Sequence, residues 1–162
     1  RRRDFLMSDR LVIGSDFAGF SLKEATKSHL LSRGYEVDDL GMTDENHPLS
    51  YHTAGYRVGR AIQDGLYPRA ILVCGSGMGV HIAAGKFPKV FCAVCESVET
   101  ARRSRVANDC NVLALGAFYT PVPQAIEMVD VFLKTEFGEG ESEEFRDFHR
   151  RCINEMLEFQ YQ

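Results

Sequence analysis

The sequence predicts an α/β protein: a three-layer α/β/α sandwich around a five-stranded parallel sheet. Three observations carry that expectation. Short apolar runs alternate with longer amphipathic ones along the whole chain. The short runs are nearly continuous in apolar residues, as in strands covered on both faces. The length, 162 residues, is that of one domain with room for a core that needs no metal or disulfide.

Leu11 to Gly14 is the first compact apolar run, and it stops at a polar turn. From Phe20 to Arg33, Phe20, Leu22, Ala25, His29 and Leu30 recur at helical spacing, with Gly34 as the residue past the helix end. Tyr35 to Leu40 alternates like a strand, and 42–50 is polar and reads as a loop. Tyr51 to Gln63 is helical, and Ala70 to Cys74 is a strongly apolar strand that runs into Gly75-Ser76-Gly77-Met78-Gly79. A short helix through Lys86, a buried strand Val90 to Cys95 and a helix Val98 to Ala107 follow. Asn111 to Gly116 is the last strand, and Pro123 to Glu136 and Glu143 to Glu158 are closing helices. Right-handed crossovers make this a Rossmann-like arrangement. Its ligands are expected at the carboxyl ends of the strands, which points to Ser15-Asp16, Gly41 onward, Cys74 to Gly79, Glu96-Ser97 and Gly116. One domain is expected over 1–162, with 1–9 a leader or disordered segment, Met7 a candidate start, and 139–162 a hinge and C-terminal helix.

Nineteen basic against 23 acidic residues give a net charge of −4, with no basic bias toward nucleic acid or an anionic membrane. No apolar run approaches the roughly 18 residues of a membrane span, and the opening shows no signal-peptide core. The expectation is a cytoplasmic protein with reduced thiols. The five cysteines are odd in number, and Cys92 and Cys95, though spaced C-x-x-C, read as small core residues rather than a redox or zinc pair.

The stretch Cys74 to Gly79 is the most informative. A thiol ends an apolar strand and three alternate glycines follow, so backbone amides can approach a ligand and hold an anion or a developing oxyanion. A thiol in that setting suits a base or nucleophile; a tight turn with a core cysteine would read the same way. Asp16 could bind sugar hydroxyls or cap the next helix, and Asn108 could bind a ligand or make an Asx turn. Tyr51, His52 and His81 lie near strand ends, and Arg102, Arg103 and Arg105 crowd one helix.

Five stretches in order give these residues a common frame: Ile13 to Lys23, Gly34 to Gly41, Ile71 to Gly79, Ile82 to Lys86, and Asn108 to Gly116. Together they resemble the ribose-5-phosphate isomerase B / galactose-6-phosphate isomerase family over about Leu11 to Phe137. The resemblance implies aldose–ketose isomerisation of a small sugar phosphate through a cis-enediolate, with no metal or other cofactor. Cys74 would be the base and Ser76 a positioning group. The amides of Gly75, Gly77 and Gly79 would face the oxyanion. Asp16, Asn108 and Arg105 match the family's substrate-contacting positions, and Phe17, His52 and Arg146 are further candidates for substrate contact that do not match the family pattern. It further implies a homodimer, with a tetramer as the larger alternative, and the C-terminal helix at the dimer interface. Three positions depart from the family pattern. Phe17 replaces a histidine after Asp16, Ala107 replaces the ring-opening histidine, and Glu141 replaces a phosphate-binding arginine, for which Arg146 and Arg150 offer charge from a shifted register. The departures favour a substrate that needs no ring opening, such as a tetrulose phosphate, or a sugar that is differently charged or unphosphorylated. The alternative reading is a weakened sugar-phosphate-binding or regulatory paralogue.

Overall fold

A computed structural model describes residues 10–159 of the chain; the expected leader over 1–9 lies outside the described residues. Five strands form one parallel sheet: β1 (Arg10–Ser15), β2 (Glu36–Asp39), β3 (Arg69–Cys74), β4 (Cys92–Val94) and β5 (Val112–Gly116), in the order β2-β1-β3-β5-β4. The helices are α1 (Phe20–Ser32), α2 (Tyr51–Gln63), α3 (Met78–Ala84), α4 (Val98–Asn108), α5 (Val122–Lys134) and α6 (Glu143–Glu158).

Alternation along each central strand divides the core in two, because successive side chains leave opposite faces of a pleated strand. Leu11, Ile13, Ile71, Val73, Leu113 and Leu115 pack against α1, α4 and α5 through Leu22, Leu30, Ala101, Met128 and Phe132. Val12, Leu72, Cys74, Val112 and Ala114 pack against α2 and α3 through Val58, Ile62, Val80 and Ala84. These are the three layers that the sequence predicts.

Two elements differ from expectation. The strand expected over Val90 to Cys95 narrows to β4, a half-exposed strand at the sheet edge, because it pairs on one side only, with β5. The buried stripe of α1 is Leu22, Lys23, Thr26 and Leu30 rather than the apolar set alone. The Lys23 side chain is fully buried, its Nζ 2.5 Å from an Asp39 carboxylate oxygen and donating to the Met42 carbonyl at 2.5 Å. A lysine can occupy such a position only with its charge paired, and this pairing locks the start of the 42–50 loop to α1.

α6 buries no residue of its own; Ser142 caps it by accepting from the Phe145 amide at 3.3 Å, and Glu141 just before it is held by Arg103 of α4. Phe145 and Phe148 on its outer surface are exposed. Among the described residues no helix is long and apolar enough to cross a membrane.

Candidate active site

From β1 the chain turns outward to β2, then returns to β3 on the other side of β1. Connections that leave two neighbouring carboxyl ends in opposite directions open a crevice between them. An open cleft of about 480 Å³ lies there, lined by Asp16, Phe17 and Ala18 after β1, Cys74, Gly75, Ser76 and Gly79 after β3, Tyr51 at the start of α2, and Phe118 and Tyr119 after β5.

Cys74 is the last residue of β3 and is nearly buried. The Gly77 amide donates to its Sγ at 3.1 Å. Gly77 can aim that amide because its φ is +78°, in the left-handed region that suits a residue without Cβ. Ser76 Oγ accepts from the Met78 amide at 3.3 Å. Asp16 accepts from the Gly19 amide at 2.8 Å through one oxygen and lines the cleft, so the capping and ligand-facing readings coexist in one side chain. Burial raises its carboxyl above the usual carboxylate range, against the lowering effect of the Gly19 and Ala18 amides.

Two rings stand directly on the glycine loop. A Cβ on Gly75 would meet the Phe118 ring at 2.5 Å, and one on Gly79 would meet the Tyr51 ring at 2.5 Å. Neither Phe118 nor Tyr119 was singled out by sequence reasoning. The signal was available, since both lie within three residues of Gly116 at the carboxyl end of β5. Tyr51 reaches the cleft and His52 does not. One residue along a helix is a turn of about 100°, and His52 instead lines a separate groove with Thr53, Tyr56, Ala83, Lys86 and Phe87.

Arg105, Asn108 and Arg146 are also absent from this cleft. Arg105 is buried, donating to the Cys110 carbonyl at 2.6 Å and pairing with Asp109 at 2.8 Å, where it braces the end of α4. Asn108 ends α4, ahead of the amino end of β5, whereas Cys74 pairs with Gly116 at its carboxyl end. The five paired residues between those levels span about 13 Å or more. Arg146 is exposed and donates to the Glu141 carbonyl at 3.3 Å. Glu141 itself is held by Arg103 of α4 and lies 3.3 Å from His149 of α6; the Arg103 guanidinium, chiefly, holds its carboxyl below the usual range. Among the described residues the cleft lining therefore contains one carboxylate and no Lys, Arg or His.

Residues 11–147 match the family model described as Ribose/Galactose Isomerase. The chain belongs to that family. It is an aldose–ketose isomerase by membership. It is 40% identical over 139 residues to the 4-deoxy-4-sulfo-D-erythrose isomerase of a Clostridium species, covering 86% of this chain and 87% of that one. It is 33% identical over 132 residues to the D-erythrulose-4-phosphate isomerase of Pectobacterium atrosepticum, covering 82% and 87%. Among solved structures, the ribose-5-phosphate isomerase B of Clostridium thermocellum superposes with a TM-score of 0.83 at 37% identity, over 92% of this chain and 95% of that one.

Proposed function

We propose that this isomerase interconverts the aldose and ketose forms of a four-carbon sugar with an anionic terminus, a phosphate or sulfonate, and that Cys74 is its base. The observation that carries the base assignment is the Gly77 amide directed at Cys74 Sγ in the cleft between β1 and β3. The thiolate takes the C2 proton of the aldose, leaving an enediolate whose oxygens face the amides of the 75–79 loop. The thiol then returns the proton to C1 and the O2 proton passes to O1, so that C2 becomes the carbonyl of the ketose. Ser76 positions the substrate, and Asp16 accepts from a sugar hydroxyl.

Chain length follows from what is missing. Phe17 and Ala107, standing where the family pattern has histidines, carry no transferable proton, so a sugar locked in a ring meets neither of those histidines to open it. Four-carbon sugars with C4 substituted cannot close a furanose ring, and two relatives are named for such sugars. The anionic end needs charge that the cleft of one chain lacks. In a homodimer the end of α4 and the start of α6 from a second copy bring Asn108 and Arg146 to it. The exposed Phe145 and Phe148 of α6 suit such a contact.

The test is a panel of tetrose, pentose and hexose phosphates and a four-carbon sulfonate, assayed by NMR in deuterated water with wild type and Cys74→Ala. The expected result is deuterium at C1 or C2 of the four-carbon sugars, with turnover lost by about 10²- to 10⁴-fold in the variant. More than half of wild-type activity in Cys74→Ala would remove the thiol from the mechanism. Substrate binding by wild type without any deuterium wash-in would favour the regulatory paralogue, to which Phe17, Ala107 and Glu141 point.

A further inference from the structure

We infer that Phe118 and Phe17 set the length of the sugar by presenting ring faces where a longer chain would need hydroxyl partners; this rests on the isomerase reading above. β3 lies between β1 and β5, so the residues that follow those two strands flank Cys74 from both sides. Phe118 is fixed with respect to the thiol. Its amide donates to the Gly75 carbonyl and the Ala117 amide to the Cys74 carbonyl, both at 2.9 Å, and its ring rests on Gly75. Phe17 is fixed by its amide, which donates to the Leu49 carbonyl at 3.1 Å. Both rings are largely open to the cleft, Phe17 64% and Phe118 70% exposed, so what they present to a ligand is phenyl surface.

With C1 and C2 at Cys74, a four-carbon substrate has one more hydroxyl, at C3, before its anionic terminus. A five-carbon chain has two and a six-carbon chain three. Polar side-chain atoms in the cleft come from Asp16, Ser76, Cys74 and two tyrosine hydroxyls, and the phenyl rings add none. Each extra hydroxyl that a bound chain presses against a phenyl face loses the water on that side without a replacement partner. The site therefore discriminates by the number of hydroxyls rather than by its volume.

The experiment compares kcat/KM for ribose 5-phosphate with kcat/KM for erythrose 4-phosphate in wild type, Phe118→Gln and Phe118→Leu, with Phe17→Gln as the independent variant on the other side. The five- to four-carbon ratio is expected to rise about tenfold in each Gln variant, within the range one polar group contributes to discrimination, and to stay within about twofold in Phe118→Leu. An unmoved ratio in active Gln variants, or an equal rise in the Leu variant, overturns the inference and leaves the isomerase reading intact. A wild type inactive on every sugar of the panel overturns both.

Discussion

At the scale of single residues, the thiols divide by environment. Burial pushes Cys110 up to about 12 and raises Cys92 and Cys95 as well, so these thiols hold their protons more tightly than an ordinary cysteine. Iodoacetamide is expected to label Cys74 while leaving those three unmodified, and bound substrate should protect it; peptide mass spectrometry reads the order. Labelling of Cys92 or Cys95 ahead of Cys74 would count against the base assignment. Asp16 shows the tension between activity and stability. An acid whose value is raised by burial holds its proton more tightly folded than unfolded. Its contribution is favourable at low pH and turns unfavourable as pH rises from the usual carboxylate range through the raised value. At neutral pH the charge is a net cost. Asp16→Asn keeps an acceptor for the Gly19 amide, so it should raise the melting midpoint at pH 7, by about 2–4 °C for each kcal/mol gained, while lowering kcat/KM about tenfold or more. A variant that is less stable and fully active would contradict both halves.

At the scale of elements, two junctions hold the site's surroundings. Lys23 ties α1 to the end of β2 and to the Met42 carbonyl, and Lys27 also reaches Asp39 at 2.9 Å. Lys23→Ala leaves that carbonyl and part of the Asp39 charge unpaired in the core, and urea unfolding should show a loss of about 3 kcal/mol. A loss below about 1 kcal/mol would mean that Lys27 alone suffices. The second junction is Glu141 between Arg103 and His149, which docks α6 on α4. A carboxyl held low contributes stability above the usual carboxylate range and loses it as pH falls through the lowered value. The protection of α6 amides against hydrogen exchange, taken relative to the intrinsic rate at each pH, should therefore fall on acidification below about pH 4 in wild type. In Glu141→Gln that protection should already be low at pH 7; protection that ignores both pH and substitution would show α6 docked by other contacts.

For the whole molecule, the decisive fact is the length of the sheet between Cys74 and Asn108. If a second copy completes the cleft, Cys74→Ala and Asn108→Ala damage the same site from different chains. Each homodimer should be nearly inactive. After random exchange, half the molecules are mixed and each carries one intact site of two, so activity should return to about a quarter of wild type. No recovery, with subunit exchange demonstrated, would place Asn108 outside the site. The basic groups that the cleft lacks make the same argument from charge: an anionic end cannot be held by Asp16 and aromatic rings.

The sequence by itself determined the architecture, because apolar runs of strand length, helical spacing between them and glycines at the turns are all local signals. It also placed Cys74, Gly75, Ser76 and Asp16, since every one of them ends a strand or lies within two residues of its carboxyl end, which is the ligand side. Three things waited for the tertiary structure. The strand order put Phe17 and Phe118 on either side of Cys74, and no periodicity encodes which strands are neighbours. The buried Lys23 could not be told from a surface lysine, because only Asp39 and the Met42 carbonyl, brought from another element, make its burial tolerable. Arg105 and Asn108 come only a few residues before β5, yet the length of β5 and the packing of α4 remove them from the cleft of their own chain, because distance across a sheet is set by strand rise and not by sequence order.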